Sequence, residues 1–134
     1  MIGVLLISHG AIGETLLASA EAILGKQQAQ VATLGVSRAD DPDKVLLHAR
    51  SLAAGLDSGA GVLVLTDMFG ATPCNVASRL LADGRVEGVS GVSLPMLVRV
   101  LSGRNGSLPA AVQRALSGGA EGVVHMNKDS CGGC

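Results

Sequence analysis

Short apolar runs alternate along the chain with longer segments in which apolar residues recur every three or four positions. The short runs are typical of strands buried on both faces of a sheet, and the longer period is typical of amphipathic helices. The runs predict strands at residues 2–7, 31–36, 61–66, 86–92 and 121–126. The helical segments predict helices over residues 14–24, from Pro42 to about Leu56, from Thr72, from near Pro95 to Leu101, and over residues 108–116.

This alternation with short connections predicts an α/β fold: an open, doubly wound sheet, mainly parallel, with helices on both faces. The chain has 134 residues, close to the roughly 150 that one domain contains. Apolar residues make up 48% of it, which is enough for a core and excludes a disordered chain. We therefore expect a single domain over residues 1–127, followed by a flexible tail over residues 128–134.

Charge and aromatic content exclude several classes of partner. The 10 Lys and Arg residues and 11 Asp and Glu residues give a formal net charge of −1, which offers no electrostatic footprint for nucleic acid or an anionic membrane. With one Phe and no Tyr or Trp, no aromatic platform is present on which bases could stack. No apolar run reaches the length of a membrane span, no basic segment of a signal peptide is present, and three cysteines are too few for a disulfide framework. We expect a cytoplasmic protein.

Two predicted strand ends carry residues suited to chemistry. The first strand ends in Ser8-His9-Gly10 and the third in Thr66-Asp67. Ligands of open α/β sheets bind outside the carboxyl ends of the strands, so neighbouring strands would bring His9 and Asp67 into one crevice. A carboxylate that accepts the proton of one ring nitrogen leaves the other nitrogen free as an oriented nucleophile. Because no serine or cysteine is placed as its substrate, His9 itself is the candidate covalent carrier, and a phosphoryl group fits that role.

The loop that follows Asp67 supports this choice. Gly70 allows close approach of the backbone, Thr72 is expected to cap a helix, and Pro73 opens it. The first amides of that helix have no internal partner, and the helix dipole favours an anion by about 0.3–1 kcal/mol per charge. The alternative is structural: a histidine at a strand end, and an aspartate that satisfies its own loop amides. His48 and His125 are expected to take no part in the chemistry.

Residues 1–127 resemble a mannose-family IIA component of the bacterial phosphoenolpyruvate-dependent sugar phosphotransferase system. The His-Gly element within residues 7–10 is weak by itself. The pattern D-x-x-G-x-[ST]-P-x-N within residues 66–75, followed by V-x-x-P-M-L within residues 91–97, is much more specific. The stretch 121–123 fits as well. The departures are small: Phe69, Gly70 and Ala71 occupy a loop that often holds an aromatic residue and two glycines, and Cys74 replaces an apolar residue.

The resemblance implies a phosphotransferase that carries a phosphoryl group on histidine. His9 would accept the group from the phosphohistidine of the carrier protein HPr and pass it to a histidine of a IIB component. Asp67 would bond to the ring nitrogen that is not phosphorylated. Gly10, Gly70, Ala71 and Thr72 would form the phosphoryl-binding loops, and neither a metal nor another cofactor is implied.

The resemblance also implies an assembly. In this family an antiparallel edge strand from the C-terminus is exchanged within a homodimer, and residues 121–126 would be that strand. The membrane would be reached only indirectly, through IIC and IID components. Cys131 and Cys134 lie outside the resemblance. They supply two of the four ligands of a structural zinc site, so a flexible reduced tail is the default expectation.

Other functions remain open at this point. A IIA-like subunit of a dihydroxyacetone kinase system uses similar phosphohistidine chemistry with a nucleotide as acceptor, although the proline of the loop favours the mannose type. A sensor of phosphorylation state would have the same site and bind regulators. A small tetrapyrrole metal chelatase also begins with a strand and a His-Gly element. It would need a second histidine, and His48 and His125 do not fall at predicted carboxyl ends of strands.

Overall fold

The computed structural model describes residues 1–128, in which strands and helices alternate along the chain. The strands are β1 (Gly3–His9), β2 (Val31–Val36), β3 (Val62–Thr66) and β4 (Val86–Ser90). The helices are α1 (Ile12–Leu24), α2 (Pro42–Leu56), α3 (Thr72–Ser78), α4 (Leu94–Leu101) and α5 (Leu108–Glu121). None of these helices is long and apolar enough to cross a membrane.

The four strands form one parallel sheet in the order β2-β1-β3-β4. The chain leaves β1 for β2 on one side and then crosses to β3 on the other side, so the order reverses between β1 and β3. This position is the switch point at which open α/β sheets bind their ligands. The register pairs Ile7 with Thr66, which places the ends of β1 and β3 side by side.

Helices cover both faces of the sheet because side chains alternate between the faces along each buried strand. Val4 and Leu6 point to the layer that contains α1, α4 and α5. Leu5 and Ile7 point to the layer that contains α2 and α3. All four side chains are fully buried, and each contributes about 1.5–3 kcal/mol of apolar transfer free energy. The predicted open, doubly wound α/β fold is confirmed, and β1 and β3 are the two central strands of its sheet.

The N-terminus of α3 differs from the prediction. Asp41 caps α2 as expected, since its side chain accepts a hydrogen bond from the Asp43 backbone at 3.0 Å. Thr72, however, does not cap α3. The backbone changes from extended to helical at Ala71 (φ −88°, ψ 173°), one residue earlier, so Thr72 is the first helical residue and its side chain makes no cap hydrogen bond.

The predicted strand over residues 121–126 is wrong for the single chain. Helix α5 continues to Glu121, five residues beyond the predicted end at 116, and Gly118 packs closely enough on α4 that a Cβ there would lie 3.1 Å from the Met96 backbone. Val123 and Met126 are 84% and 76% exposed. Exchange of this segment between two copies remains a prediction. The expected flexible tail over residues 128–134, with Cys131 and Cys134, lies outside the described residues apart from Lys128, which is part of a turn.

Candidate functional site

His9 and Asp67 meet at the switch point. The Nδ1 atom of the His9 ring lies 2.8 Å from Oδ2 of Asp67. The backbone N–H of His9 donates to the same oxygen at 3.0 Å. Two contacts to one carboxylate oxygen fix both the backbone and the ring of His9. The predicted proximity of these two residues is confirmed, because β1 and β3 are neighbours in a parallel sheet.

The electrostatics of Asp67 determine which nitrogen of the His9 ring carries hydrogen. Burial acts to raise the pKa of Asp67, but the backbone N–H and ring of His9 outweigh it, and the net pKa lies below its usual value of 3.8. Asp67 is therefore a carboxylate at neutral pH and can only accept, so Nδ1 must be the donor. Its Oδ1 is buried and has no hydrogen-bond partner among the described residues, and both contacts from His9 go to Oδ2.

The opposite edge of the imidazole faces solvent. The His9 side chain is 48% exposed, whereas that of Asp67 is only 10% exposed. With Nδ1 protonated and bonded, Nε2 keeps its lone pair and points away from the carboxylate. The site thus presents an oriented, accessible nitrogen nucleophile above a buried negative charge.

Residues next to the pair hold the end of β1 in place. Ser8 is buried, and its Oγ accepts a hydrogen bond from the N–H of Gly13 at 2.8 Å, which ties the start of α1 to the strand. Gly10 has a left-handed backbone (φ +48°), and its N–H donates to Val36 at 3.0 Å. A Cβ on Gly35 would lie 2.2 Å from the Gly10 carbonyl oxygen. The supporting roles of Ser8 and Gly35 were not predicted, although a glycine inside a strand is a known signal of close backbone approach.

The loop after Asp67 presents backbone rather than side chains. Gly70 has a φ of +83°, a conformation that favours glycine. Ala71 is half-buried and Thr72 is exposed at the start of α3. The N–H groups of the first turn have no intrahelical acceptor, so those of Thr72 and Cys74 are available. Gly10 differs, because its N–H already serves the β2 carbonyl of Val36.

Two large apolar side chains stand exposed in the same loop. Met68 is 61% exposed and Phe69, which is the one aromatic residue of the chain, is 84% exposed. Nothing in the fold of residues 1–128 requires them at the surface. Neighbouring exposed apolar groups are typical of a surface that contacts another protein.

The other histidines lie elsewhere. His48 is exposed within α2, and His125 follows the end of α5. In the part of the chain that the structure describes, no group of three or more His, Cys, Asp or Glu side chains is arranged to hold a metal ion.

The fold and the site together define an α/β domain with an exposed histidine, held by an aspartate, at the carboxyl edge of a parallel sheet. Residues 3–116 match the sequence model of the EIIA-man family, described as the PTS system fructose IIA component. The chain belongs to this family of phosphotransferase-system IIA components, and the resemblance to the mannose-family IIA components is confirmed.

Relatives and solved structures agree with this assignment. The chain is 34% identical over 125 residues to the PTS system mannose-specific EIIAB component of Escherichia coli strain K12, a match that covers 91% of this chain. It spans only 38% of the length of that relative. The crystal structure of phosphotransferase system component EIIA from Streptococcus agalactiae superimposes with a TM-score of 0.85 at 26% identity, covering 96% of this chain and 100% of that one.

A second solved structure is equally similar. The PTS IIA protein associated with the fucose utilization operon from Streptococcus pneumoniae superimposes with a TM-score of 0.83 at 28% identity. The match covers 94% of this chain and 93% of that one. The single α/β domain found here is therefore the fold of solved IIA proteins.

Proposed function

We propose that this protein is a phosphohistidine carrier whose Nε2 atom of His9 accepts a phosphoryl group from phosphorylated HPr and passes it to a histidine of a IIB component. The observation that carries the proposal is the 2.8 Å contact between Nδ1 of His9 and Asp67, which leaves Nε2 free. Family membership supports a role in sugar transport by the phosphotransferase system or in its regulation.

The transfer balances without a cofactor. The lone pair of His9 Nε2 forms a bond to phosphorus, and the phosphorus–nitrogen bond of the donor phosphohistidine breaks. The departing imidazole keeps that electron pair. Positive charge then develops on the His9 ring, and Asp67 stabilises it through Nδ1–H. Transfer to the next histidine repeats the same exchange in reverse, so positioning and charge stabilisation supply most of the catalysis.

We assign phosphoryl binding chiefly to Gly70, Ala71 and Thr72. Their N–H groups lie in the loop and first turn that follow Asp67, and the hydroxyl of Thr72 is exposed and free of a capping bond. Gly10 contributes backbone shape, because its N–H is engaged with Val36. Donors in this loop offset the repulsion between Asp67 and the incoming group.

The partners in this proposal are proteins, and their docking surface includes Met68 and Phe69 around the site. We further propose a cytoplasmic homodimer in which residues 121–126 add to the open edge of a second copy. The exposed side chains of Val123 and Met126 support this arrangement. Contact with the membrane would be indirect, through IIC and IID components.

The direct test is phosphorylation with phosphoenolpyruvate, enzyme I and HPr, followed by intact-mass measurement. We expect one acid-labile phosphoryl group per chain, and none in the His9→Ala variant. The matched control is His48→Ala, an exposed histidine within α2, which should label like the wild type. Undiminished labelling of His9→Ala would exclude the proposed site.

A further inference from the structure

A second cavity lies at the end of the sheet opposite to His9. It has a volume of about 610 Å³, within the range of roughly 300–1,000 Å³ typical of small-molecule sites. The segment between α1 and β2 forms one wall, and the segment between α4 and α5 forms the other. Both segments lie at the amino-terminal ends of the strands, whereas His9 lies at a carboxyl end. The cavity is therefore separate from the candidate transfer site. No aspartate or glutamate is among its lining residues.

Arg104, one of the lining residues, is buried with only 4% of its surface exposed. Its Nη1 donates to the carbonyl oxygens of Ile2 and Gln30, both at 3.2 Å. Its Nη2 donates to Oε1 of Gln28 at 3.2 Å. All three acceptors are neutral, and Nε has no partner among the described residues.

Within residues 1–128, no carboxylate compensates the charge of this guanidinium. Arg104 forms no ion pair with a carboxylate of residues 1–128. Glu21 is engaged with the backbone N–H of Gln28 at 2.7 Å instead. Burial lowers the pKa of Arg104, because removal from water disfavours the charged form of the guanidinium. Buried charges in proteins are normally paired, because desolvation without a counter-charge costs several kcal/mol.

We propose that this cavity binds the carboxylate or phosphate group of a small anionic metabolite. The anion replaces the side-chain amide of Gln28 at Nη2 of Arg104, and Lys26 at the rim supplies a second positive charge. The neutral Oε1 atom of Gln28 now accepts the hydrogen bond from Nη2 of Arg104. An oxyanion at the same position would accept a stronger, charge-assisted hydrogen bond. A ligand here would bind without contact with His9.

The test uses the full chain with the His9→Ala substitution, so that the outcome is independent of phosphoryl transfer. Inorganic phosphate and acetate are titrated separately at constant ionic strength, with sodium chloride as the blank, and backbone amide signals are followed by NMR. We expect saturable changes at residues 28–29 and 103–106. The stronger of the two titrations identifies the oxyanion group that the site prefers, and the amides of residues 70–72 report separately on the other site.

Two variants of equal charge give the control. Gln28→Glu places a carboxylate beside the guanidinium, and we expect it to weaken anion binding by about tenfold or more. Gln27→Glu adds the same charge to the same wall at a residue that makes no hydrogen bond to Arg104, and should weaken binding much less. Unsaturable or uniformly scattered signal changes, or equal affinities in the two variants, would overturn the proposal.

Discussion

A Cβ placed on Gly35 would lie 2.2 Å from the carbonyl oxygen of Gly10, far inside van der Waals contact. Gly10 follows His9 directly, and its N–H donates to the next residue of β2, Val36. The second strand therefore supports the turn that follows His9, although β2 contributes no side chain to the His9–Asp67 pair. The position of the imidazole depends on the absence of a side chain one strand away.

Gly35→Ala should therefore displace this turn. We expect a loss of about 1–3 kcal/mol in the free energy of unfolding, as for an overpacked site, measured by urea denaturation. The acceptance of phosphoryl groups should fall as well. Gly55→Ala is the control, because nothing lies within 4 Å of a Cβ there. In the exposed part of α2 it should stabilise the protein by about 0.5–1 kcal/mol. Equal unfolding free energies for both variants would contradict this account of Gly35.

Most of the fold could be predicted because burial leaves a periodic signal. Strands β1 and β3 read as unbroken apolar runs, and the structure buries them on both faces. The C-terminal segment shows the limit of that signal. The pattern of residues 121–126 predicts a strand whether its partner belongs to the same chain or to another, and in the single chain α5 extends to Glu121, the first residue of that segment.

The main pair of the site could be predicted from topology alone, because neighbouring parallel strands end at the same edge. What the sequence could not supply was geometry within that edge. Three details of this kind are the choice of Nδ1 as the bonded nitrogen, the buried hydroxyl of Ser8 beneath α1, and the cap at Ala71. Each depends on the backbone conformation of a single residue. Patterns of residue type do not resolve shifts that small.

Asp67 should control the rate of phosphoryl transfer, and its loss should leave His9 able to accept a phosphoryl group. Asp67→Ala removes the group that orients the ring, and we expect transfer to slow by about 10–100-fold, the range found when the carboxylate partner of a metal-binding histidine is removed. Asp67→Asn keeps an acceptor oxygen and should fall between the wild type and Asp67→Ala. Rapid-quench phosphorylation by phospho-HPr measures the rates. Identical rates in all three proteins would show that the pair is structural only.

The same carboxylate should make stability depend on pH. The pKa of Asp67 is lower in the folded protein than its usual 3.8, so the folded state resists protonation of this group more than the unfolded chain does. Its contribution is fully present above pH 3.8 and is lost as the pH falls through the folded pKa. Asp67→Asn should cost about 1–3 kcal/mol at neutral pH and progressively less in strong acid. Urea denaturation at several pH values tests this, and a cost that does not change with pH would contradict it.

Residues 121–126 should determine the oligomeric state if they pair with a second copy. Val123→Asp places a charge on this exposed segment, and we expect the variant to shift from dimer to monomer in sedimentation velocity. Amide exchange in one of the two edge strands, β2 or β4, should accelerate at the same time, because its outer edge would lose hydrogen bonds. Leu47→Asp is the control: Leu47 is 67% exposed on α2, and its replacement should leave the dimer intact. A wild-type protein that sediments as a monomer would exclude the exchange.

Phe69 should contribute to recognition of the protein donor and not to the chemical step. Its ring is 84% exposed beside the site and makes no contribution to the core. An aromatic residue at the centre of an interface commonly contributes more than 1 kcal/mol to binding. Phe69→Ala should therefore raise the KM for phospho-HPr about tenfold and leave the rate at saturating donor unchanged. Ile23→Ala is the matched control, since Ile23 is 60% exposed near the far end of α1. A fall in the saturated rate with unchanged KM would instead place the ring in the transfer step. Loss of an interaction that is made only in the transition state lowers kcat and leaves KM unchanged.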